Sequence, residues 1–169
     1  MISLNFKMYI AGHNGLVGSA ILRKLKKKGY KKIYTKTRKE LDLTNQNKVF
    51  RYLKKIKPNF IFIAAAKVGG IYSNNKFKAE YIKENLALQI NLIHGVYLAG
   101  VKDLIFLGSS CVYPRMCKQP INEKYLLSGY LEKPNDAYAI AKIAGIKMCE
   151  SYNLQYGTNS KCLMPTNTF

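Results

Sequence analysis

Acidic residues are scarce in this chain: nine aspartates and glutamates stand against 28 lysines and arginines, a formal charge of +19. The excess is almost all lysine and is spread over every candidate helix (Arg23–Lys28, Lys48–Lys57, Lys76–Lys83), with no arginine cluster and no nucleic-acid motif. It therefore reads as a solvated surface, not a nucleic-acid footprint, and its field would also draw in an anionic nucleotide. Histidine is nearly absent. Cys111, Cys117, Cys149 and Cys162 show no C-x-x-C spacing and lie far in sequence from His13 and His94, which argues against zinc. No charged-then-apolar leader opens the chain, and no apolar run approaches membrane length. The expectation is a cytoplasmic protein with free thiols, no metal and no membrane partner. Its 169 residues amount to one domain, 1–169, with enough apolar content for a core.

Short apolar runs alternate with longer helical stretches. Strands are expected at Lys7–Ala11, Lys32–Thr35, Phe60–Ala64, Asp103–Leu107 and Ser160–Met164. Helices are expected at Gly15–Lys28, Gln46–Lys57 (ended by Pro58), Lys78–Leu98 and Ala137–Gln155, with an irregular stretch from Gly108 to Asn135. Strands this apolar imply an α/β fold, a doubly wound parallel sheet of the Rossmann type covered on both faces, with expected order 3-2-1-4-5. Ligands in such sheets sit beyond the C-terminal ends of the strands. Those ends carry Gly12, Thr37-Arg38, Ala65, the Leu107-Gly108-Ser109-Ser110-Cys111 run and Pro165-Thr166-Asn167.

The glycine spacing Gly12-x-x-Gly15-x-x-Gly18 follows the first strand and opens a helix. Such a turn lets backbone N–H groups approach a pyrophosphate at a helix N-terminus. His13, Asn14, Leu16 and Val17 complete this cofactor segment. After the second strand, an acid would bind ribose hydroxyls and repel a 2′-phosphate. Lys36-Thr37-Arg38 stands there instead, favouring NADP over NAD, although Arg38 also fits a solvated turn. Asp42 lies where an adenine amino group would come, or else caps the next helix.

Tyr138 and Lys142 stand at i and i+4 on one helical face. An ammonium beside a phenol favours phenolate and is expected to lower the Tyr138 pKa, suiting it to proton transfer with a carbonyl or alcohol oxygen. Tyr72 and Lys76 share the spacing, but Tyr138 opens a long apolar helix whereas Tyr72 is read as lying in a polar loop. Ser109, just past the fourth strand, could hydrogen-bond the same oxygen or simply close a turn.

With these residues in order, the chain resembles the extended short-chain dehydrogenase/reductase superfamily. Within it, the chain is similar to the GDP-L-fucose synthases. The matching runs are Ile10–Ser19, Ala64–Gly70 (AAAKVGG), Phe106–Pro114 (FLGSSCVYP), Tyr138–Gly145 and Met164–Asn167. The resemblance implies NADPH-dependent 3,5-epimerisation and 4-keto reduction of GDP-4-keto-6-deoxy-D-mannose. NADPH would lie over Gly12–Gly18 with Arg38 near the adenosine phosphate, while Leu107–Ser110 and Pro165–Thr168 would line the nicotinamide side. Tyr138 would protonate the C4 oxygen, Lys142 bind the nicotinamide ribose, Ser109 hold the keto oxygen and Cys111 act as one acid/base of the epimerisations. In general a cysteine such as Cys111 is more often a small buried filler.

Two features depart from that pattern. Asn14 stands where the family usually has arginine, removing one phosphate contact. The family's chains are also about twice as long. The expectation is that 1–169 lacks later strands, a small substrate domain and a second acid/base histidine, for which neither His13 nor His94 substitutes. It would then bind NADPH weakly without completing epimerisation, and leave the fifth strand as an apolar edge. A homodimer through the two long helices is also implied. The competing readings are a non-catalytic nucleotide-binding remnant or another nucleotide-sugar epimerase or dehydratase.

Overall fold

A computed structural model describes residues 3–166. Its strands are β1 (Met8–Ala11), β2 (Ile33–Lys36), β3 (Phe60–Ile63), β4 (Asp103–Leu107) and β5 (Asn159–Leu163), all parallel. Its helices are α1 (Leu16–Lys27), α2 (Gln46–Ile56), a short α3 (Ile71–Lys76), α4 (Lys78–Leu98) and α5 (Asp136–Tyr156). The fold is the expected α/β Rossmann-type sheet.

The strand order is β2-β1-β3-β4-β5, not the expected 3-2-1-4-5. The correction has a physical basis. All four residues of β1 are buried, so β1 needs a neighbour on each edge, whereas β2 is half-buried throughout and suits an edge. Helix α2 turns Val49, Leu53 and Ile56 into the core beside Tyr9 and Ile61. It thereby carries the chain across β1 instead of outward past β2. The order reverses between β1 and β3, and the crevice at their C-terminal ends is where such sheets take ligands.

Alternation with period two divides the sheet into two faces. Tyr9, Ala11, Ile61, Ile63, Leu104 and Phe106 pack against α2, α4 and α5; Met8, Ile10, Phe60 and Phe62 pack against Ile21, Leu22 and Leu25 of α1. The faces are unequally covered. Phe62, Ile105 and Lys161 lie in register across β3, β4 and β5 on the α1 side, where Ile105 is half-buried and Lys161 exposed. The edge strand β5 (NSKCL) is half-exposed, so it is more polar than the apolar edge expected. An outward lysine of this kind discourages edge pairing.

The helix ends follow local chemistry. Asn45 caps α2 by accepting from Lys48 N at 3.0 Å, and Lys57 ends it in the left-handed region before Pro58, where a helical residue is disfavoured. Gly157 closes α5 at φ 63°, donating to Asn153 O. One contact fixes how deeply α5 sits. A Cβ on Gly145 would meet Phe106 Cζ of β4 at 2.5 Å and Gln89 Oε1 of α4 at 2.9 Å.

Candidate active site

A large cleft of about 1230 Å³ opens over the β1/β3 crevice and runs from the end of β2 to the start of α5. Its floor is the glycine turn. Gly12 sits at φ 89°, and a Cβ there would lie 2.5 Å from Ala65 N, so the turn and the end of β3 touch backbone to backbone. A Cβ on Gly18 would collide with the Gly12 carbonyl, which is why α1 can start so close to the strand. Gly15 is different: its nearest neighbour is Gly12 O at 3.5 Å, leaving space on the cleft side. No side chain caps α1, and His13, Asn14, Leu16 and Val17 line the cleft around it. Uncapped first-turn N–H groups beneath an open glycine fit an anionic diphosphate. His13 Nδ1 is buried without a partner.

At the β2 end the cations are already paired. Lys36 Nζ meets Glu40 Oε1 at 2.8 Å. Arg38 Nη2 lies 3.3 Å from Glu84 Oε2, while Lys67 Nζ is 2.5 Å from Glu84 Oε1. Both cations hold the Glu84 carboxyl below the usual carboxylate range, Lys67 most strongly through its hydrogen bond. Glu84 is a cleft residue that sequence reasoning missed. Its partners are 17 and 46 positions away, and no local spacing reports them. Asn85, fully buried, accepts from Lys67 N and donates to Lys67 O, each at 2.9 Å, pinning that loop to α4. Asp42 lines the cleft and accepts from Thr44 N and Oγ1. The cap of α2 is Asn45, so Asp42 does not fill that alternative role.

At the other end Leu107, Gly108, Ser109, Ser110 and Cys111 line the cleft with Tyr138, Lys142, Pro165 and Thr166. Gly108 N donates to Leu163 O and Ser110 N to Pro165 O, which docks the two segments side by side. Asn167 and Thr168 lie outside the described residues. Ser109 Oγ accepts from Cys111 N at 3.5 Å, opening a short 3-10 turn that points Cys111 inward. Tyr72 is elsewhere. It stands on α3, not in a loop as expected, exposed, with Lys76 Nζ 5.7 Å from its ring centroid.

The expected depression of the Tyr138 phenol is not met. Burial pushes its pKa up to about 12, the nearby Cys111 adding to the rise and the Ser109 hydroxyl opposing it. Lys142 does not hydrogen-bond the phenolic oxygen: its Nζ donates to Leu107 O at 2.7 Å, lies 4.7 Å from the Phe106 ring centroid and 5.9 Å from that of Tyr138. Buried among these groups, its own pKa falls to about 8. Burial likewise raises the Cys111 thiol, against the pull of Ser109 and Lys142. The site therefore holds a protonated phenol, a proton donor by default. His94 is remote from it, bonded through Nδ1 to Tyr152 Oη at 2.8 Å between α4 and α5. Among the described residues no three potential ligands are grouped to hold a metal ion, and no helix is long and apolar enough to cross a membrane.

The model of the NAD dependent epimerase/dehydratase family matches residues 8–169. The chain is 51% identical to putative GDP-L-fucose synthase 2 of Arabidopsis thaliana over 169 residues, all of this chain and 52% of that one. It is 52% identical to GDP-L-fucose synthase 1 of the same plant over 96% of this chain and 50% of that one. Among solved structures, the NADP-bound GDP-mannoheptose C4 reductase MlghC of Campylobacter jejuni superposes with a TM-score of 0.96 at 44% identity, covering 100% of this chain and 54% of that chain. The chain thus spans about half the length of the curated relatives it matches. With a glycine turn at the sheet's switch point and a tyrosine–lysine pair across the same cleft, the chain belongs to the NAD dependent epimerase/dehydratase family.

Proposed function

We propose that this chain is the dinucleotide-binding and proton-handling half of a GDP-L-fucose synthase-type enzyme. In this reading the enzyme takes GDP-4-keto-6-deoxy-D-mannose through 3,5-epimerisation and NADPH-dependent reduction to GDP-L-fucose. The carrying observation is that Ser109, Cys111, Tyr138 and Lys142 line one cleft with the Gly12–Gly18 turn. Bound NADPH would supply the hydride. The first-turn N–H groups of α1 would hold its diphosphate, and Arg38, at the end of β2, its adenosine phosphate. The NADP-bound structural relative supports this choice of cofactor.

The chain's own residues then divide the work. Ser109 would orient the sugar's 4-keto oxygen by hydrogen bonding. Tyr138, held protonated by burial, would deliver its proton to that oxygen as negative charge develops. Lys142 would lower the cost of the phenolate once its ammonium reaches the ribose and the phenol. Cys111 would exchange a proton at carbon beside the keto group, whose electron withdrawal acidifies those C–H bonds. A second acid/base is not identified among the described residues, since His13 sits in the glycine turn and His94 outside the cleft. Exposed Ile90 and Leu98 on α4 and Leu154 on α5 support pairing of two copies through these helices.

Fluorescence titration of the purified chain with NADPH and NADH tests the reading. Saturable binding that prefers NADPH upholds it. Equal, steeply salt-dependent binding of any polyanion would support a basic remnant instead.

A further inference from the structure

Glu84 is one of nine acids in a chain of net charge +19, yet it projects into the cleft proposed to receive a polyanion. Its placement is fixed by α4. The buried stripe Tyr81–Asn85–Leu88 faces the sheet, and Glu84 lies at the margin of that stripe, at the strand-end rim. There it spans Arg38 from the end of β2 and Lys67 from the end of β3. The two contacts are unequal. The Arg38 guanidinium touches the carboxylate once, at 3.3 Å, with its side chain 75% exposed, so it gains little from the pair and remains free to turn to another anion. The Lys67 ammonium is held closer and is more buried. Of the two cations it spans, Glu84 neutralises the one that would otherwise be a second partner for a phosphate.

Resting on the reading of Arg38 as the 2′-phosphate contact, we propose that Glu84 sets the chain's discrimination between phosphorylated and unphosphorylated dinucleotides, holding it below what Arg38 and Lys67 together would give. The carboxylate repels a 2′-phosphate and occupies Lys67. Neither effect reaches the distant diphosphate strongly, because exposed charges are screened within about 8–10 Å. Removing one unit charge a side chain away from a phosphate at a solvent-facing rim predicts an effect of about three- to tenfold on binding of the phosphorylated form.

The test is titration of wild type, Glu84→Gln, Glu84→Ala and Arg38→Ala with NADPH and NADH, and with 2′,5′-ADP and 5′-ADP as competitors, thermal melts confirming folding. Both Glu84 variants should raise the ratio of NADH to NADPH dissociation constants about three- to tenfold, through tighter NADPH and 2′,5′-ADP alone. An unchanged ratio, or weaker NADPH binding, overturns the proposal and makes Glu84 a positioning residue for Arg38. Arg38→Ala addresses the underlying reading separately. If it leaves the ratio as in wild type, Arg38 is not the phosphate contact, while a raised ratio in the Glu84 variants still upholds control through Lys67. No saturable dinucleotide binding in wild type removes both.

Discussion

Replacing Lys142 by methionine should stabilise the protein near neutral pH while impairing its site. Lys142 is 3% exposed, its ammonium bonds Leu107 O, and no carboxylate pairs with it among the described residues. Burial pulls its pKa from 10.5 to about 8. A base depressed on folding disfavours the fold wherever the unfolded chain keeps the proton. That penalty is full below about pH 8, shrinks as pH rises from there, and is gone above about 10.5. The gap corresponds to about 3 kcal/mol. Methionine conserves the volume but leaves Leu107 O unpaired, at a cost of about 1–3 kcal/mol. The net gain at pH 7 is therefore up to about 2 kcal/mol, or a melting temperature raised by up to about 8 °C for a domain of this size. Thermal melts of both proteins from pH 7 to 10 read this directly. The advantage should shrink with rising pH and finally reverse, because the lysine penalty vanishes while the orphaned carbonyl remains. NADPH titration at pH 7 should show weaker binding to the same variant. A variant that melts lower at pH 7, with a gap independent of pH, would refute the reasoning.

The other expectations concern packing. Gly18→Ala should lower the melting temperature sharply, since a Cβ there strikes the Gly12 carbonyl and overpacking of this kind costs about 1–3 kcal/mol. Gly15→Ala, whose Cβ would meet only Gly12 O at an ordinary contact distance of 3.5 Å, should cost about 1 kcal/mol or less yet weaken NADPH binding; equal thermal losses in the two variants would contradict this division. Asn85→Ala should destabilise by about 2–4 kcal/mol in urea titration, because it strands the Lys67 N–H and C=O at once; a loss below about 0.5 kcal/mol would show that water replaces both bonds.

Local chemistry was legible where one segment contained its own explanation. The bounds of α4 and β4 follow from apolar pattern and flanking turns, and the glycine turn is readable because strand, glycines and helix are contiguous. The strand order was not, because it depends on which side of β1 the α2 crossover lands. That choice rests on the burial of β1 at both edges, which no local run reports. Helix α3, six residues long, is too short for periodicity to show, so the sequence pattern around Tyr72 is that of a polar loop. Within the site, the i, i+4 spacing identified Tyr138 and Lys142 as neighbours. It did not report that Phe106 and Leu107 O capture the ammonium, nor that burial raises the phenol. Glu84 escaped for the same reason, its meaning residing in two partners in the loops that follow β2 and β3.

The close seat of α5 at Gly145 gives Tyr138, the proposed proton donor, a remote mechanical reference. Tyr138 lies seven residues nearer the N-terminus of that helix, about 10 Å along its axis, and both ride on one rigid rod. The absent side chain at Gly145 therefore works as a spacer of zero thickness. It sets the height of the phenol above the sheet from a point outside the cleft lining. Any residue larger than glycine there would act as a shim under the rod, tilting Tyr138 relative to Ser109 while leaving every cleft side chain chemically intact. Relatives could thus diverge in rate or substrate geometry by changing thickness at this single seat.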